Sequence, residues 1–349
     1  MMKKKQLVSF IMAFMVGSIF MVGCGAGNHL AREDKITQEP DNYDNDAEQT
    51  TEVPDNYDNE AEQITEVPDN YYNEARHQGT LEKFSYQTTG YDGQHDIYTS
   101  SAMVYLPYGY DKNDTETKYN ILYLQHGAYG NETTWMSEYG DDFKNMIDHM
   151  IEDKCISPLI IVMPYLPAGN EWYQDTTPYF YMNEIQNDLM PAVESTYHTY
   201  AENVTEEGFR ASREHRIFGG FSAGGTTTWT AFLHGLDRFQ YFMPMSGGLT
   251  LGGNGNSSDA DAQILAEAVH EAGYDAADYK IFAATGTRDV AYNGLSAQID
   301  SMKKISDVFQ YTDQGFSQGN LIYYVVQGNV HDYPYTYEYV YNGLRAFGL

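Results

Sequence analysis

The chain is poor in cysteine, in positive charge and in long apolar runs, and these shortages exclude several classes of protein. Its 349 residues include only 2 cysteines, which rules out a disulfide scaffold and a multi-cysteine zinc or iron–sulfur site. Lys and Arg number 20 against 50 Asp and Glu, so the net charge is −30. A chain this acidic repels phosphate backbones, and we therefore expect no nucleic-acid partner.

The longest apolar run lies at the N-terminus, over residues 7–22, behind a lysine triplet. It is short for a spanning helix, which needs about 20 apolar residues, and small residues follow it as in an export signal. The run ends in Met21-Val22-Gly23-Cys24, which resembles a bacterial lipobox. We expect residues 1–24 to be a lipoprotein signal peptide with Cys24 lipidated, and an uncleaved anchor helix is the alternative. Either interpretation places the rest of the chain outside the cytoplasm, held at the membrane.

An acidic repeat follows the signal. Pro40-Asp41-Asn42-Tyr43 recurs from Pro54 and again from Pro68, a period of fourteen. Each unit has almost no aliphatic residue and buries too little apolar area to offset its ordering entropy. We predict that residues 25–78 are a disordered, extended linker. A calcium-binding repeat is the weaker alternative, because the spacing lacks the turn glycine and terminal glutamate of an EF-hand loop.

Residues 79–349 alternate apolar, β-rich runs with amphipathic helical stretches, which predicts βαβ units and a mostly parallel central sheet with helices on both faces. The predicted strands span residues 102–106, 120–125, 159–163, 216–218, 241–245, 280–284 and 321–326. The predicted helices span residues 141–152, 183–197, 224–233, 259–272, 295–305 and 335–346.

The sharpest motif is Gly220-Phe221-Ser222-Ala223-Gly224, which follows an apolar strand and precedes a helical run. This is the strand–turn–helix context of a nucleophile elbow. The flanking glycines avoid side-chain clashes at a strained turn, and the N-terminus of the helix directs its N–H groups at a developing oxyanion. We therefore predict that Ser222 is a nucleophile and that the Ala223 N–H is one donor of an oxyanion hole.

A serine nucleophile needs a base and an orienting acid, which in this architecture follow it in the order acid, then histidine. His270 lies in a helical run and has the pattern of a surface residue, whereas His331 follows the strand at 321–326, so we predict that His331 is the base. Asp289 follows the strand at 280–284 and is the predicted acid. Asp332 is its rival, but adjacent side chains on a loop usually diverge.

The second oxyanion donor is expected in the loop after the strand at 120–125. That loop begins Gln125-His126-Gly127-Ala128, and we predict that the Ala128 N–H is the donor, with His126 bracing the loop. Acyl transfer on these residues requires neither a metal ion nor an organic cofactor.

Several ordered blocks resemble carbohydrate esterase family 1, most closely the feruloyl esterase modules attached to bacterial cellulosomal xylanases, over residues 80–349. They are the blocks at 104–111, 123–127, 158–162, 220–225, 241–247, 282–286 and 328–331. The resemblance implies an α/β-hydrolase fold, a triad on Ser222, Asp289 and His331, and cleavage of phenolic or acetyl esters on xylan. The expected partner is therefore plant cell-wall xylan or feruloylated xylo-oligosaccharides.

Aromatic surface for a phenolic ring is expected from Tyr129, Trp135, Trp172, Tyr292 and Tyr333. Residues 248–253 lack the acidic and aromatic residues that some feruloyl esterases carry there. Two alternatives therefore remain beside a feruloyl esterase. One is an acetylxylan esterase on the same scaffold, and the other is a lipid-anchored glycan-binding protein with an inactive hydrolase fold.

Overall fold

A single sheet of eight strands organises the part of the chain that the structure, a computed structural model, describes: residues 64–89, 97–165, 180–249 and 258–349. The strands are β1 (Thr80–Thr89), β2 (Ile97–Leu106), β3 (Asn120–Gln125), β4 (Leu159–Pro164), β5 (Arg216–Phe221), β6 (Tyr241–Met245), β7 (Lys280–Gly286) and β8 (Leu321–Val326). Their order is β1-β2-β4-β3-β5-β6-β7-β8. β1 and β2 pair antiparallel, as do β2 and β4, and every other neighbouring pair is parallel. The prediction of a mostly parallel sheet is therefore confirmed.

Helices cover both faces of the sheet. They are α1 (Asp142–Glu152), α2 (Met190–Glu194), which continues a π-helical segment (Phe180–Leu189), α3 (Glu206–Ala211), α4 (Ala223–His234), α5 (Ser258–Ala272), α6 (Tyr292–Met302) and α7 (Tyr333–Phe347). β3 is buried along its whole length. Its side chains alternate between two cores, because successive residues of a strand point to opposite faces. Tyr123 packs with the helices α4, α5 and α6, and Leu122 packs with α1 and α7.

The parallel strands β3, β5, β7 and β8 end at one edge of this sheet. The loops that follow them carry Gln125 to Gly130, Ser222, Asp289 and His331, respectively. Parallel α/β sheets place their functional side chains at this carboxyl edge, so the topology brings together residues that are about a hundred positions apart. Within the described residues, no helix is both long and apolar enough to cross a bilayer.

The third acidic repeat is folded, which corrects the expectation of a disordered linker up to residue 78. Asp69–Tyr72 forms one turn of 3₁₀ helix. The Tyr71 side chain is 5% exposed, its hydroxyl donates to Asp153 Oδ2 over 2.7 Å, and its ring stacks on His149 at 4.9 Å between centroids. The prediction overlooked that Val67, Tyr71 and Ala75 bury apolar area when the folded domain supplies a surface for them. Residues 1–63 lie outside the described part of the chain, so the predicted signal and Cys24 remain predictions.

Candidate active site

Ser222 lies in a tight turn between β5 and α4, with φ 58° and ψ −113°. Such angles are costly for a residue with a side chain. The backbone of this turn also lies in close contact with the C-terminal end of β3. A Cβ on Gly224 would overlap the Gln125 carbonyl, and one on Gly220 would lie 2.8 Å from it. The two glycines of the motif are therefore required by close backbone approach, and they leave the serine exposed to the loops beyond the sheet.

His331 connects the serine hydroxyl to a buried carboxylate. Its Nε2 lies 2.9 Å from Ser222 Oγ, and its Nδ1 donates to Asp289 Oδ1 over 2.8 Å. The imidazole is 26% exposed, whereas the Asp289 side chain is fully buried. Because the carboxylate accepts the Nδ1 proton, Nε2 carries the lone pair that faces the serine. The arrangement therefore lets His331 take a proton from Ser222 while Asp289 holds its orientation.

The two acid candidates occupy different positions. Asp289 Oδ1 also accepts the Ala291 N–H over 2.7 Å, which fixes the carboxylate. Within the part of the chain that the structure describes, Oδ2 is buried with no hydrogen-bond partner. Asp332 instead turns to its own chain and accepts the Tyr333 N–H over 2.8 Å, capping α7. The geometry thus favours Asp289 over Asp332 as the group that orients His331.

The loops after β7 and β8, which carry Asp289 and His331, are held against each other by close backbone contacts. A Cβ on Gly286 would overlap the Asn329 backbone, and the Arg288 N–H donates to the Asn329 carbonyl over 3.1 Å. The Asn329 side-chain amide in turn lies 3.3 Å from the Tyr339 hydroxyl. Burial raises the pKa of Tyr339 above its usual value of 10.0, so this phenol stays neutral at working pH. The separation of His331 and Asp289 is therefore set by backbone packing.

The loop after β3 lies directly beside the nucleophile. A Cβ on Gly127 would lie 3.2 Å from Ser222 Cβ, and Ala128 follows it, half-buried. Ala223 is the first residue of α4, and the first N–H groups of a helix have no partner within it. The N–H groups of Ala128 and Ala223 thus belong to the two segments that flank Ser222. His126 is 1% exposed and its Nδ1 donates to the Gly127 carbonyl over 2.7 Å, a contact that braces the loop.

The aromatic residues predicted to contact substrate differ in the exposed fraction of their side chains. Tyr129 is 80% exposed beside the oxyanion loop, and Tyr292 is half-buried at the start of α6. Trp135 is 1% exposed and packs on Phe143, so its predicted contact with substrate is corrected to a core position. Tyr333 is 7% exposed, and its predicted role as aromatic surface is corrected as well. Trp172 lies outside the described residues.

Sequence reasoning missed what Tyr333 does instead. Its hydroxyl oxygen accepts the Gly127 N–H over 2.6 Å, and its ring packs edge-on against Phe221 at 4.9 Å. Phe221 also packs on the His331 ring at 4.6 Å. The hydrogen bond spans 206 positions, and nothing in the local sequence around either partner indicates it.

Fold and site together define a serine hydrolase of the α/β-hydrolase type. The "Putative esterase" family model matches residues 99–337, and the chain belongs to this esterase family. In the part of the chain that the structure describes, no group of three or more His, Cys, Asp or Glu side chains could hold a metal ion.

Curated relatives of the chain are xylan-degrading proteins. The chain is 42% identical to "Endo-1,4-beta-xylanase Y" of Acetivibrio thermocellus over 271 residues, which are 77% of this chain and 23% of that protein. It is 31% identical over 154 residues to "Endo-1,4-beta-xylanase/feruloyl esterase" of Xylanibacter ruminicola, covering 42% of this chain and 19% of that protein. The chain thus spans about a quarter or less of the length of these relatives.

Solved structures similar to the chain include a mutant of the feruloyl esterase module from Clostridium thermocellum complexed with sinapinate. The TM-score is 0.70 at 40% identity, covering 81% of this chain and 93% of that one. A ferulic acid esterase from Anaeromyces mucronatus has a TM-score of 0.60 at 20% identity, covering 80% and 96%, and shares the fold. The resemblance to carbohydrate esterase family 1 feruloyl esterases is confirmed.

Proposed function

We propose that the chain is a carboxylic ester hydrolase that removes feruloyl groups from xylan side chains through an acyl-enzyme on Ser222. One observation carries the chemistry: the unbroken line from Ser222 Oγ through both nitrogens of His331 to Asp289, with steps of 2.9 and 2.8 Å. The acyl group rests on relatives of high coverage, since the feruloyl esterase module that binds sinapinate, a hydroxycinnamate, is 40% identical.

In the first half of the reaction, Ser222 attacks the ester carbonyl as its proton passes to His331 Nε2. The new bond joins Ser222 Oγ to the carbonyl carbon, and the negative charge collects on the carbonyl oxygen. The N–H groups of Ala128 and Ala223 stabilise that oxyanion. The bond to the sugar oxygen then breaks, the sugar hydroxyl leaves with the proton from His331, and the acyl group remains on the serine.

In the second half, water takes the place of the sugar. His331 accepts a proton from water, the resulting hydroxide adds to the acyl carbon, and the same two N–H groups hold the second oxyanion. The carbon–Oγ bond breaks and Ser222 recovers its proton from His331, which releases the free acid. Asp289 remains ionised throughout, and its fully buried side chain keeps the imidazole in one tautomer.

The proposal includes an extracellular location. Xylan is a polymer that enzymes meet outside the cell, and the relatives named as xylanases fit that setting. The lipobox-like Met21-Val22-Gly23-Cys24 supports a lipid anchor at Cys24, with the acidic residues 25–63 as a spacer between anchor and enzyme. Mass spectrometry of the membrane fraction tests the anchor by comparing the wild-type protein with Cys24→Ala. If Cys24 is lipidated, the lipid-modified N-terminus is found in the wild type and is lost in the variant.

A substrate panel tests the acyl group. Initial rates are compared on feruloylated, coumaroylated and acetylated xylo-oligosaccharides, with Ser222→Ala as the matched inactive control. We expect the feruloylated substrate to give the highest kcat/KM. A preference for the acetylated substrate would replace the proposal with an acetylxylan esterase. Binding of the oligosaccharides without turnover, and without labelling of Ser222 by a fluorophosphonate, would replace it with a glycan-binding protein.

A further inference from the structure

The loop that carries the predicted oxyanion donor contains the most flexible kind of residue. Gly127 lacks a side chain, so its φ and ψ are restricted only by what its peptide groups contact. An oxyanion hole is effective only when its donors are already aimed at the charge before the reaction begins. The position of Ala128 N–H therefore depends on what restrains Gly127.

Two sets of hydrogen bonds restrain Gly127 from its two sides. Its carbonyl accepts from His126 Nδ1 over 2.7 Å and from the Gly130 N–H over 3.2 Å. Because the peptide bond is planar and trans, that carbonyl fixes the opposite direction for the Ala128 N–H. The N–H of Gly127 donates to the Tyr333 hydroxyl over 2.6 Å, which fixes the peptide plane on the other side.

Tyr333 is itself held rigidly. It lies at the start of α7, its own N–H is bound by the Asp332 side chain, and its ring packs edge-on against Trp135 at 5.1 Å. It also follows His331 by two positions and packs against Phe221, the residue before the nucleophile. One side chain thus ties the oxyanion loop to the segments that carry the base and the nucleophile.

We propose that Tyr333 is a positioning residue of the oxyanion hole: its hydroxyl holds Gly127 so that the Ala128 N–H is directed at the developing oxyanion. The inference rests on the proposed ester hydrolysis and deepens it. It replaces the expected role of Tyr333 as aromatic surface for the substrate, since a ring 7% exposed offers little area to a ligand.

Tyr333→Phe tests this, because it removes the hydroxyl and keeps the ring. Deleting an oxyanion donor outright costs about 10²–10³ in kcat, and displacing one costs less, so we expect kcat to fall about tenfold. KM stays unchanged, so kcat/KM falls by the same factor, as for an interaction made only in the transition state. The apparent pKa of kcat/KM also stays unchanged, because the variant leaves the contacts of His331 in place.

The assay uses 4-nitrophenyl acetate, with competent sites counted by fluorophosphonate titration and folding checked by thermal melting. The matched control is Tyr337→Phe, one turn further along α7, where another buried tyrosine packs on Phe143 at 5.3 Å. We expect this control to keep kcat per site within about twofold, since it touches no transition-state contact.

Several results would overturn the inference. An unchanged kcat per titrated site in Tyr333→Phe removes the positioning role, and fewer titratable sites at an unchanged rate per site make the role structural. A higher KM at constant kcat in Tyr333→Phe would show that Tyr333 contacts the substrate. A shifted pH profile of kcat/KM would show that the substitution acts through His331. If the wild-type protein cleaves 4-nitrophenyl acetate but not methyl ferulate, the proposed acyl group fails while this comparison of variants stands.

Discussion

The two ends of β5 hold buried polar clusters that differ in how completely they are partnered. At its start, Arg216 uses all five of its N–H donors, two of them on Glu194 at 2.8 and 3.1 Å. At its end, Ser222 has positive φ, and one oxygen of Asp289 is buried with no hydrogen-bond partner among the described residues. The difference teaches that every donor of the buried Arg216 guanidinium is matched by an acceptor, so that removing one partner is costly, while reactivity requires groups held in place but not fully satisfied.

The largest expected effect comes from Ser222→Gly, at the catalytic end of β5. This substitution should lower activity while it relieves the backbone strain of the turn. Activity should fall about 10⁶-fold with the nucleophile gone. Glycine adopts the backbone angles at this turn without steric cost, so Ser222→Gly should be more stable than Ser222→Ala by about 1 kcal/mol. Urea unfolding of the two variants measures this, and a more stable alanine variant would contradict strain at the elbow.

Asp289→Asn should lower kcat about 10³–10⁴-fold, because an amide no longer fixes the imidazole tautomer. The matched control is Asp332→Asn, which retains an oxygen to cap α7 and should keep kcat within about twofold. Steady-state rates on 4-nitrophenyl acetate decide between the two acids. Equal losses in both variants would remove the distinction drawn from their hydrogen bonds.

Glu194→Gln breaks the closed network at the other end of β5. It leaves the Arg216 guanidinium, 1% exposed, without its counter-charge, which costs about 3–5 kcal/mol of unfolding free energy. The rate per titrated active site should stay within about twofold of wild type, because the substitution lowers the fraction of folded molecules and leaves the geometry at Ser222 unchanged. A lower rate per folded molecule would show that the two ends of the strand are coupled.

The smallest expected effect is a pH dependence of stability at His215, beside Arg216. Its ring stacks on Tyr200 at 3.4 Å and its Nδ1 lies 2.8 Å from Asn120 Oδ1. Burial, reinforced by the charge of Arg216, lowers the pKa of His215 below 6.5, and Glu214 opposes the shift.

The unfolded chain therefore binds the His215 proton more readily, so the contribution of His215 to stability falls as pH drops below 6.5 and is constant above it. His215→Gln should show a shallower loss of unfolding free energy between pH 8 and pH 5.5, measured in urea. An equal or steeper loss in the variant would assign the pH dependence to other groups.

The parts of the fold that the sequence predicts are those with a strong local pattern. The central strand β4 is nearly all aliphatic, and the amphipathic helices α1 and α5 begin and end within a few residues of their predicted bounds. The sequence does not predict β1, because its residues are mostly polar and half of them are exposed at an edge of the sheet. The strand order, with β4 between β2 and β3, depends on long-range pairing that no local pattern encodes.

For the candidate site, chain order and strand ends were enough to select Ser222, Asp289 and His331, because the chemistry restricts which residue types can serve. The aromatic residues were harder, since the same ring serves equally well as core or as ligand surface. The sequence therefore predicts ligand surface at Trp135 and Tyr333, which the structure buries. Only the packing of loops distant in sequence shows that Tyr333 reaches Gly127.

The docked segment at residues 64–78, which contains the end of the second acidic repeat and most of the third, determines where the chain can be cleaved without loss of these contacts. Thr65 exchanges hydrogen bonds with the Asn342 side chain on α7, at 3.0 and 2.9 Å, and Tyr71 fills the pocket beside His149. A protease that cuts ahead of residue 64 would leave these contacts of Thr65 and Tyr71 in place. A cut at residue 78 would remove the buried Tyr71 from the folded domain. The apolar surface that Tyr71 covers would then be exposed and would promote aggregation.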